Sequence, residues 1–452
     1  MNLTSEKARE AARLVRVLRD HSHSAYLVGG CVRDLLLGRE PADYDVATSA
    51  SPDEVMRLFP KTYAVGAQFG VVLVPVLNDR EDGSRDNYAI EVATYRSDGD
   101  YSDGRHPDRV QFSQEPQLDV QRRDFTINGL LLDPISSEVL DFVGGQADIQ
   151  RGVIRAIGTP ELRFAEDKLR MLRAVRFAAR FGYQIDQRTF ASIRALAPQI
   201  HQVSHERIRD EILKMLTEGH ARRAFELLDE TGLLAQVLPE VKKMQGVEQP
   251  PQFHPEGDVW VHTLMLLEGL PAGVSKSLAL GVLLHDVGKP PTFRVAPDRI
   301  RFDHHAEVGT RMAQEICRRF HLSNDETHQV CSLVANHMRF GDVMKMKEST
   351  LKRFFRLPRF EEHLELHRLD CLSSHRDLSL YDFAQARFHA LPAQQIRPEP
   401  LITGNDLMAA GYPPGPKFKE LLTAVEDAQL EGAIASKEEA LSLVKSLMEQ
   451  EP

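Results

Sequence analysis

The chain has 452 residues and a net charge of −10, with 42% hydrophobic and 27% charged residues. This length allows about three domains, each with its own core, and the composition is ordinary for a globular protein. The negative charge argues against a nucleic-acid partner only as a whole-chain sum. Residues 399–452 hold ten acidic residues against four lysines, while arginines concentrate between residues 151 and 223. The charge therefore excludes no RNA partner.

Targeting and redox signals favour a cytoplasmic protein. No apolar run approaches the ~18 residues that span a membrane, and the segment MNLTSEKARE lacks the apolar stretch of a signal peptide. The cysteines form no CxxC pair, which is typical of reduced thiols and argues against a zinc–thiolate site. They are Cys31, Cys317, Cys331 and Cys371. We predict a cytoplasmic protein with no membrane partner.

Residues 25–46 carry the first candidate site. The apolar run 26–28 predicts a buried strand that ends at Gly29 and Gly30, and residues 31–37 predict a short helix. Two glycines let a bulky anion approach the backbone, and the helix that follows turns its free N–H groups towards it. The stretch therefore predicts a phosphate site, although a Gly-Gly pair alone is more often only a turn.

Acidic residues follow at strand-like spacing. Asp43 and Asp45 occupy positions i and i+2 of an extended segment, so alternation places both carboxylates on one face, about 7 Å apart along the chain. Such a pair can bind Mg²⁺. Glu91 lies in the apolar strand IEVATYR, where a buried carboxylate needs a partner. A metal held by the two aspartates would provide one; an edge or salt-bridged position is the alternative.

Joined in this order, strand, Gly-Gly turn, helix and Asp-x-Asp resemble a known signature. The segment GGCVRDLLLGREPADYDVAT is similar to the class II nucleotidyltransferases that build the CCA end of tRNA, a group shared with bacterial poly(A) polymerases. The resemblance implies that Asp43 and Asp45, with Glu91 as a third carboxylate, hold two Mg²⁺ ions. It also implies that pyrophosphate leaves along the Gly-Gly turn and Arg33.

Two further segments extend this resemblance. Residues 95–112 are rich in Gly, Asp and Arg, which predicts a mobile loop; the family has a flexible loop here, and its full length disfavours an enzyme that adds only cytidines. Residues 121–128 are similar to the family's RRDFTIN motif. Arg122 and Arg123 can bind phosphate. Asp124 and Asn128, four residues apart on a predicted helix, share a face that can hold a ribose or orient the arginines.

From Glu161 the pattern changes to long helices. Four arginines recur on one face of a helix that is predicted to end at Gly182, and such a stripe is usually a solvated face. They are Arg170, Arg173, Arg176 and Arg180. Glu166 and Asp167, just before Arg170, reproduce the family's EDxxR motif, in which the protein itself reads the incoming base.

The chemistry of the bases agrees with that role. On one predicted helical face, the Asp167 carboxylate accepts from the amino group of cytosine or adenine, while the Arg170 guanidinium donates to the adjacent ring nitrogen. Guanine and uracil present the opposite order and are rejected without a nucleic-acid template. We place Arg173 and Arg176 in the same nucleotide-binding set. Arg207 resembles a residue of a later family motif, but a solvated arginine explains it equally well.

A second set of metal-ligand residue types follows. It consists of His262, His285, Asp286, His305, His337 and Asp370. Single histidines on apolar helices are mostly core residues, but His285 and Asp286 follow seven mostly apolar residues, so two polar groups enter a core together. The pattern H…HD…H…H…D, with Gly309 after His305, resembles the HD phosphohydrolase superfamily.

The HD resemblance implies two roles for these residues. One divalent metal, such as Mg²⁺, Mn²⁺ or Ni²⁺, is bound by His262, His285, Asp286 and Asp370. The intermediate histidines, His305 and His337, support a second metal or contact phosphate. The implied reaction is hydrolysis of a phosphomonoester or a 2′,3′-cyclic phosphate, a repair step before nucleotide addition. A catalytically idle scaffold is the alternative.

The whole sequence therefore predicts an α+β protein with a small mixed-sheet nucleotidyltransferase head followed by an all-α neck, HD domain and tail. The predicted divisions are the head at 1–145, a neck and body for base selection and RNA binding at 146–250, the HD domain at 251–380 and the tail at 381–452. The predicted activity is template-independent addition of CCA to tRNA from CTP and ATP. An A-adding enzyme, a poly(A) polymerase and an HD phosphodiesterase with an RNA-binding head are the rivals.

Overall fold

A computed structural model describes residues 3–64, 69–79, 85–99, 109–251, 257–297 and 299–449. The chain divides into two compact units, the first made of residues 1–215 and 223–239 and the second of residues 216–222 and 240–452. The four-domain division is finer than this and stays a prediction. Within the described ranges, every helix is too short or too polar to cross a membrane.

The first unit opens with a helix and a mixed sheet. Its first elements are α1 (Glu6–Asp20), β1 (Ala25–Val28), α2 (Gly30–Leu36), β2 (Asp45–Thr48), α3 (Pro52–Leu58), β3 (Val71–Asp79), β4 (Arg85–Thr94), β5 (Arg96–Asp98), β6 (Val110–Phe112), α4 (Pro116–Gln121), β7 (Leu130–Leu132) and β8 (Val139–Asp141). The hydroxyls of Ser5 and Ser51 cap α1 and α3 by accepting from backbone N–H groups three residues on.

Six strands form the main sheet in the order β3-β4-β2-β1-β7-β8. The pair β2–β4 is parallel and the other neighbours are antiparallel, so the predicted small mixed sheet is confirmed. Leu27, Val46 and Val92 are fully buried in the core that the sheet shares with α1. The register pairs Asp45 with Val28 on one side and with Glu91 on the other. The glycine turn after β1, Asp45 on β2 and Glu91 on β4 therefore lie side by side across three adjacent strands.

The segment predicted as a loop at 95–112 is partly regular. β5 and β6 pair as an antiparallel ribbon with Arg96 opposite Phe112, because Tyr95 is fully buried and anchors the start of the segment. The prediction of a loop is wrong for these two strands. Residues 100–108 of the same segment lie outside the described residues.

The rest of the first unit is mainly helical. It contains α5 (Gly145–Arg151), β9 (Val153–Ile154), α6 (Pro160–Glu166), α7 (Leu169–Phe181), β10 (Gln184–Ile185), α8 (Gln187–Leu196), α9 (His205–Thr217), α10 (Ala221–Glu230) and α11 (Leu233–Val237). The predicted helix end at Gly182 is confirmed, since Gly182 follows α7 with φ +68°, but the expectation that Asp167 and Arg170 lie on one helix is wrong. Asp167 has an extended backbone, and its Oδ1 accepts from the Leu169 N–H at 3.0 Å, which caps a new helix.

From residue 239 the described residues, up to 449, are mainly helical and include one short hairpin. Its elements are α12 (Pro239–Lys242), α13 (Val259–Glu268), α14 (Lys276–Leu284), α15 (Lys289–Thr292), β11 (Arg294–Val295), β12 (Ile300–Arg301), α16 (His305–Arg319), α17 (Asn324–Asn336), α18 (Glu348–Phe355), α19 (Phe360–Ser373), α20 (Ser379–Ala390), α21 (Ala393–Ile396), α22 (Gly404–Ala409), α23 (Lys417–Leu430) and α24 (Lys437–Glu449). α14 is apolar on all sides and buried, and it ends at His285. The predicted α+β fold class is confirmed.

Candidate active sites

The turn after β1 is the first part of the site in the first unit. Gly29 has φ +79°, a left-handed conformation that glycine adopts without strain, and a Cβ there would lie 3.2 Å from Nη1 of Arg123. Because Val28 pairs with Asp45, this turn opens beside the carboxylate at the start of β2. Gly29 and Gly30 thus leave backbone accessible to an anion next to an acidic group.

The acidic residues repel one another. Burial, the charge of Glu91 and the charge of Asp43 raise the pKa of Asp45 to about 6, although Arg123 opposes them. The Asp43 side chain is 86% exposed, and its Oδ1 lies 3.7 Å from Nζ of Lys7. A divalent cation bound to these carboxylates would relieve the repulsion, and carboxylate oxygens are the ligands that Mg²⁺ prefers, although this structure does not gather the three carboxylates within 4.8 Å of one another.

A chain of hydrogen bonds connects the glycine turn to α7. Buried Arg33 donates from Nη1 to Oδ1 of Asn128 at 2.5 Å, and Asn128 donates from Nδ2 to Oδ1 of Asp124 at 3.1 Å. Asp124 accepts through Oδ2 from Nε and Nη2 of Arg173 at 2.9 and 2.7 Å. The predicted helix is wrong here, since only residues 126–128 form a single 3-10 turn, but that turn still brings the predicted pair together.

Two arginines of the RRDFTIN segment share one buried acid. Asp119 is fully buried, and its two carboxylate oxygens lie 2.7 Å from Nη2 of Arg122 and 3.0 Å from Nη2 of Arg123. The sequence analysis selected both arginines but missed Asp119, the acid that they share. The available signal was spacing, because an acid three and four residues before two arginines meets both of them on a helix.

Asp167 and Arg170, the pair predicted to read the base, are each held by an ion pair with another side chain. Arg207 donates to both oxygens of Asp167, at 3.2 Å from Nη1 and 2.7 Å from Nη2. Arg170 donates from Nη1 to Oε2 of Glu166 at 2.6 Å. Asp167 and Arg170 do not share a helical face, because the chain breaks between α6 and α7. Each side chain is instead oriented by its own ion pair, and Arg207 is not merely solvated.

These groups line one cavity of about 450 Å³. It brings together the predicted residues Gly29, Gly30, Arg33, Asp45, Arg122, Asp124, Asn128, Asp167, Arg170 and Arg173. Asp43, Glu91 and Arg176 are outside this lining, and the expectation of a buried Glu91 is wrong, because its side chain is exposed on β4. Arg176 is buried, and its Nε lies 2.6 Å from Oε2 of Glu211, which is also buried. Its guanidinium therefore contacts a protein carboxylate in this structure.

In the second unit, three histidines have the same orientation. Nδ1 of His285, His305 and His337 lies 2.8, 2.9 and 2.7 Å from the carbonyl oxygen three residues earlier. A neutral ring that donates from Nδ1 presents Nε2 as a lone pair. Nε2 of His305 and Nε2 of His337 face each other at 3.3 Å. Two such acceptors at this distance fit a shared cation.

Asp286 lies between the histidines. Its Oδ2 is 3.2 Å from Nε2 of His285 and 4.0 Å from Nε2 of His262. Its Oδ1 is 3.7 and 3.8 Å from Nε2 of His305 and His337. Each carboxylate oxygen therefore faces a different part of the cluster, which is the arrangement of a ligand that bridges two metal positions.

The ligand atoms form two groups, each within 4.8 Å. They are His262 with His285 and Asp370, and Asp286 with His305 and His337. The sequence analysis predicted Asp286 as a ligand together with His262, His285 and Asp370. Asp286 contacts both groups, because its Oδ2 faces His285 and His262 while its Oδ1 faces His305 and His337. The assignment of Asp286 to the first metal stays a prediction.

Lys289 is a residue of this site that the sequence analysis missed. Its buried Nζ lies 2.7 Å from Oδ2 of Asp286 and 2.5 Å from Oε1 of Gln249. Despite burial, the charges of His285 and Lys289 hold the pKa of Asp286 well below its ordinary value. Burial lowers the pKa of His337 to about 4, so its ring is neutral near pH 7 and able to bind a metal.

Three family models match the chain. A poly(A) polymerase head domain model matches residues 25–155, an RNA- and SrmB-binding site model of polymerase A matches residues 182–245, and a tRNA nucleotidyltransferase domain 2 model matches residues 302–444. The first of these ranges contains the glycine turn, the carboxylates and the RRDFTIN segment.

Curated relatives and solved structures also match this chain. The CCA-adding enzyme of Geobacillus thermodenitrificans is 44% identical over 224 residues, so the alignment spans about half of each protein, 50% of this chain and 53% of the relative. The Bacillus stearothermophilus CCA-adding enzyme in complex with CTP has a TM-score of 0.74 at 27% identity and covers 99% of both chains. The Thermotoga maritima enzyme complexed with tRNA, at 20% identity and a TM-score of 0.59, supports the fold alone.

A further relative aligns along nearly the whole length. The CCA-adding enzyme of Geobacillus sp. (strain WCH70) is 32% identical over 442 residues, which is 96% of each protein. Head motifs, fold and full-length similarity agree. The chain therefore belongs to the family of CCA-adding enzymes, which are nucleotidyltransferases.

Proposed function

We propose that the first unit adds C, C and A to the 3′ end of tRNA from CTP and ATP. The observation that carries this proposal is the single cavity that joins the glycine turn and Asp45 to Asp167 and Arg170. Such a cavity supports binding of a nucleoside triphosphate with its phosphates at the turn and its base near the ion-paired side chains. The CTP bound to the Bacillus stearothermophilus relative supports the same assignment.

The phosphate end is supported by a fixed set of groups. Asp43 and Asp45, with Glu91, would hold Mg²⁺, which when bound neutralises phosphate charge and lowers the pKa of the attacking 3′-hydroxyl. Gly29 and its neighbouring glycine expose backbone to the phosphates. The Arg33 guanidinium is held in place by Asn128, so it meets the leaving pyrophosphate without reorganising.

Base selection is supported by the free capacity of Asp167. A carboxylate accepts about four hydrogen bonds, and Asp167 takes two from Arg207 and one from the Leu169 N–H. One position remains for the amino group of cytosine or adenine. Arg170 then donates to the ring nitrogen beside that amino group. Guanine and uracil would instead turn a carbonyl oxygen towards the Asp167 carboxylate and a ring N–H towards the Arg170 guanidinium, so neither hydrogen bond could form.

Incubation with tRNA transcripts lacking the 3′ CCA tests this proposal. With CTP alone we expect two added residues, and with CTP and ATP together the complete CCA. An A-adding enzyme would extend only a transcript that ends in CC, and a poly(A) polymerase would add a long A tail. If no nucleotide is incorporated, the proposal fails, and the remaining alternative is an HD phosphodiesterase with an RNA-binding head.

We further propose that the second unit is an HD-type metal-dependent phosphohydrolase. The observation that carries this is the pair of ligand groups that meet at Asp286, with imidazole lone pairs turned towards each other. A divalent metal held there supplies an activated water and neutralises phosphate charge. Lys289 adds a fixed positive charge beside Asp286. The substrate class is a phosphomonoester or a 2′,3′-cyclic phosphate.

The ligand types guide the choice of metal. A mixed imidazole and carboxylate set suits Mn²⁺ or Ni²⁺ better than Mg²⁺, which prefers oxygen ligands. Metal-stripped protein reloaded with each ion and assayed on 2′,3′-cyclic AMP and 2′-AMP tests the proposal. We expect hydrolysis that depends on the added ion. No hydrolysis with any ion would favour the idle scaffold.

A further inference from the structure

The HD-like ligands open into a cavity that is larger than a phosphate group needs. Its volume of about 470 Å³ falls within the ~300–1,000 Å³ of sites that hold a whole small molecule. Apolar side chains of Ile300, Met338 and Leu380 line it together with Asp286 and other ligand residues. The cavity therefore has room, and the apolar surface, for a nucleoside as well as for its phosphate.

A hairpin supplies one continuous part of this lining. The five consecutive residues 299–303, from the end of the β11–β12 hairpin, all contact the cavity, and they include Arg299 and Arg301. The ring of Phe302 lies 5.9 Å from that of Phe293, at the start of the hairpin, and 5.4 Å from Nζ of Lys289. The hairpin is thus packed directly against the lysine that contacts Asp286.

The same hairpin exposes apolar surface. Phe293 is 41% and Val295 is 73% exposed, and Val295 is the most exposed large hydrophobic residue in the described part of the chain. Val295 pairs with Ile300, which lines the cavity. Arg294 is paired with Asp303 at 2.6 Å. Exposed aromatic and apolar groups beside guanidinium groups are the surface on which single-stranded nucleic acids stack.

We infer that residues 293–297 and 299–303, here called the HD hairpin, hold the last nucleotides of a single RNA strand whose terminal phosphate enters the cavity. This inference rests on the proposed phosphohydrolase function and adds its substrate class: ends of RNA chains in preference to free mononucleotides. Hydrolysis of a terminal 2′,3′-cyclic phosphate consumes one water. One phosphorus–oxygen ester bond breaks, the water oxygen joins phosphorus, and the released ribose oxygen takes the proton. The arginines of the hairpin, Arg299 and Arg301, line the cavity with positive charge that attracts RNA phosphates, which favours an RNA partner.

The test compares two substrates with the same terminal nucleoside. We measure kcat/KM for 2′,3′-cyclic AMP and for a ten-nucleotide RNA that ends in adenosine 2′,3′-cyclic phosphate, using the metal-loaded full chain. The ratio of RNA to mononucleotide is expected to exceed about ten. Val295→Ser and Arg299→Ala are each expected to lower this ratio by about tenfold, whereas a merely structural role would lower both values together.

Matched controls and a second readout complete the experiment. Ile135→Ser, at a 54% exposed position of the first unit, and Arg311→Ala, at an exposed position of α16, should leave the ratio unchanged. A wild-type ratio near one, or a ratio that the hairpin variants do not move, overturns the inference. A benzophenone amino acid at position 295 should crosslink the terminal nucleotides of the RNA. If neither substrate is hydrolysed, the proposed phosphohydrolase function fails, and the crosslink still decides the inference: crosslinks to a copurifying protein or a second copy of this chain overturn it.

Discussion

The two candidate centres use metal-ligand residues in opposite ways. In the first unit, Asp45 begins β2 shortly after Asp43, and burial together with the charges of Glu91 and Asp43 raises the pKa of Asp45 to about 6. In the second unit, His285 and His337 are buried, and carbonyl hydrogen bonds fix each ring so that Nε2 turns inward. The first set would need a cation and nucleotide phosphates to complete it, whereas the ring orientations of the second set are already fixed in this structure.

The largest expected effect separates the two centres. Asp286→Asn should lower phosphohydrolysis by at least about 10³-fold, because it removes the carboxylate shared by both ligand groups. Addition of CCA should continue, since the first unit contains its own carboxylates. Both activities are measured on the same preparation, with His328→Ala at an exposed position as control. Loss of CCA addition in Asp286→Asn would show that the centres are not independent.

The second-largest expected effect is a loss of stability when a buried ion pair of the first unit is broken. Glu211→Gln removes the buried negative charge that compensates the Arg176 guanidinium, and we expect a loss of about 3–5 kcal/mol in the free energy of unfolding. Glu10→Gln, which breaks an exposed pair with Arg13, should cost below about 1 kcal/mol. Urea unfolding followed by circular dichroism measures both. Unchanged stability with weakened CTP binding would instead assign Arg176 to the nucleotide, as its sequence motif predicts.

Base selection should respond to a residue that need not touch the base. Arg207→Ala frees the Asp167 carboxylate, so the preference for CTP and ATP over GTP and UTP should fall about 10- to 100-fold. Arg209→Ala, two residues away on α9, is the matched control because Arg209 pairs with Asp210. Single-turnover incorporation of each nucleotide gives the ratio. An equal fall for all four nucleotides would contradict a role in orientation.

The smallest effect is a pH dependence. The pKa of Asp45 rises from 3.8 to about 6 on folding, so the folded chain binds an extra proton in that window. The metal-free protein should therefore lose stability, on the order of 1–3 kcal/mol, as pH rises from about 4 to 6. Asp45→Asn should remove that part of the slope. Urea unfolding at four pH values in chelator measures it, and parallel curves for both proteins would contradict the assignment.

Much of the fold and family could be read from local patterns. The glycine turn, the Asp-x-Asp spacing and the apolar strand around Glu91 are short-range signals, and membership of the CCA-adding family confirms the predicted nucleotidyltransferase. The HD pattern likewise marks residues that the structure brings together. Their assignment to a working phosphohydrolase stays a prediction.

Long-range pairing was the part that local patterns missed. Nothing near Asp167 indicates that Arg207, forty residues later, takes both its oxygens and that the helix breaks between α6 and α7. The helical pattern of apolar residues continues through this break. It therefore gives no sign that the Asp167 side chain accepts a hydrogen bond from the Leu169 N–H. Lys289 was overlooked for a related reason: a lysine reads as a surface residue until its carboxylate partner is known.

Nucleotide incorporation by Asp45→Ala tests the central claim most directly. With saturating CTP and Mg²⁺ and a tRNA transcript lacking CCA, the variant should add the first C at least about 10³-fold more slowly than the wild type. Asp53→Ala, at an exposed position in the first turn of α3, should add it at the wild-type rate. A rate for Asp45→Ala within tenfold of the wild type would contradict the assignment of β2 as the catalytic strand.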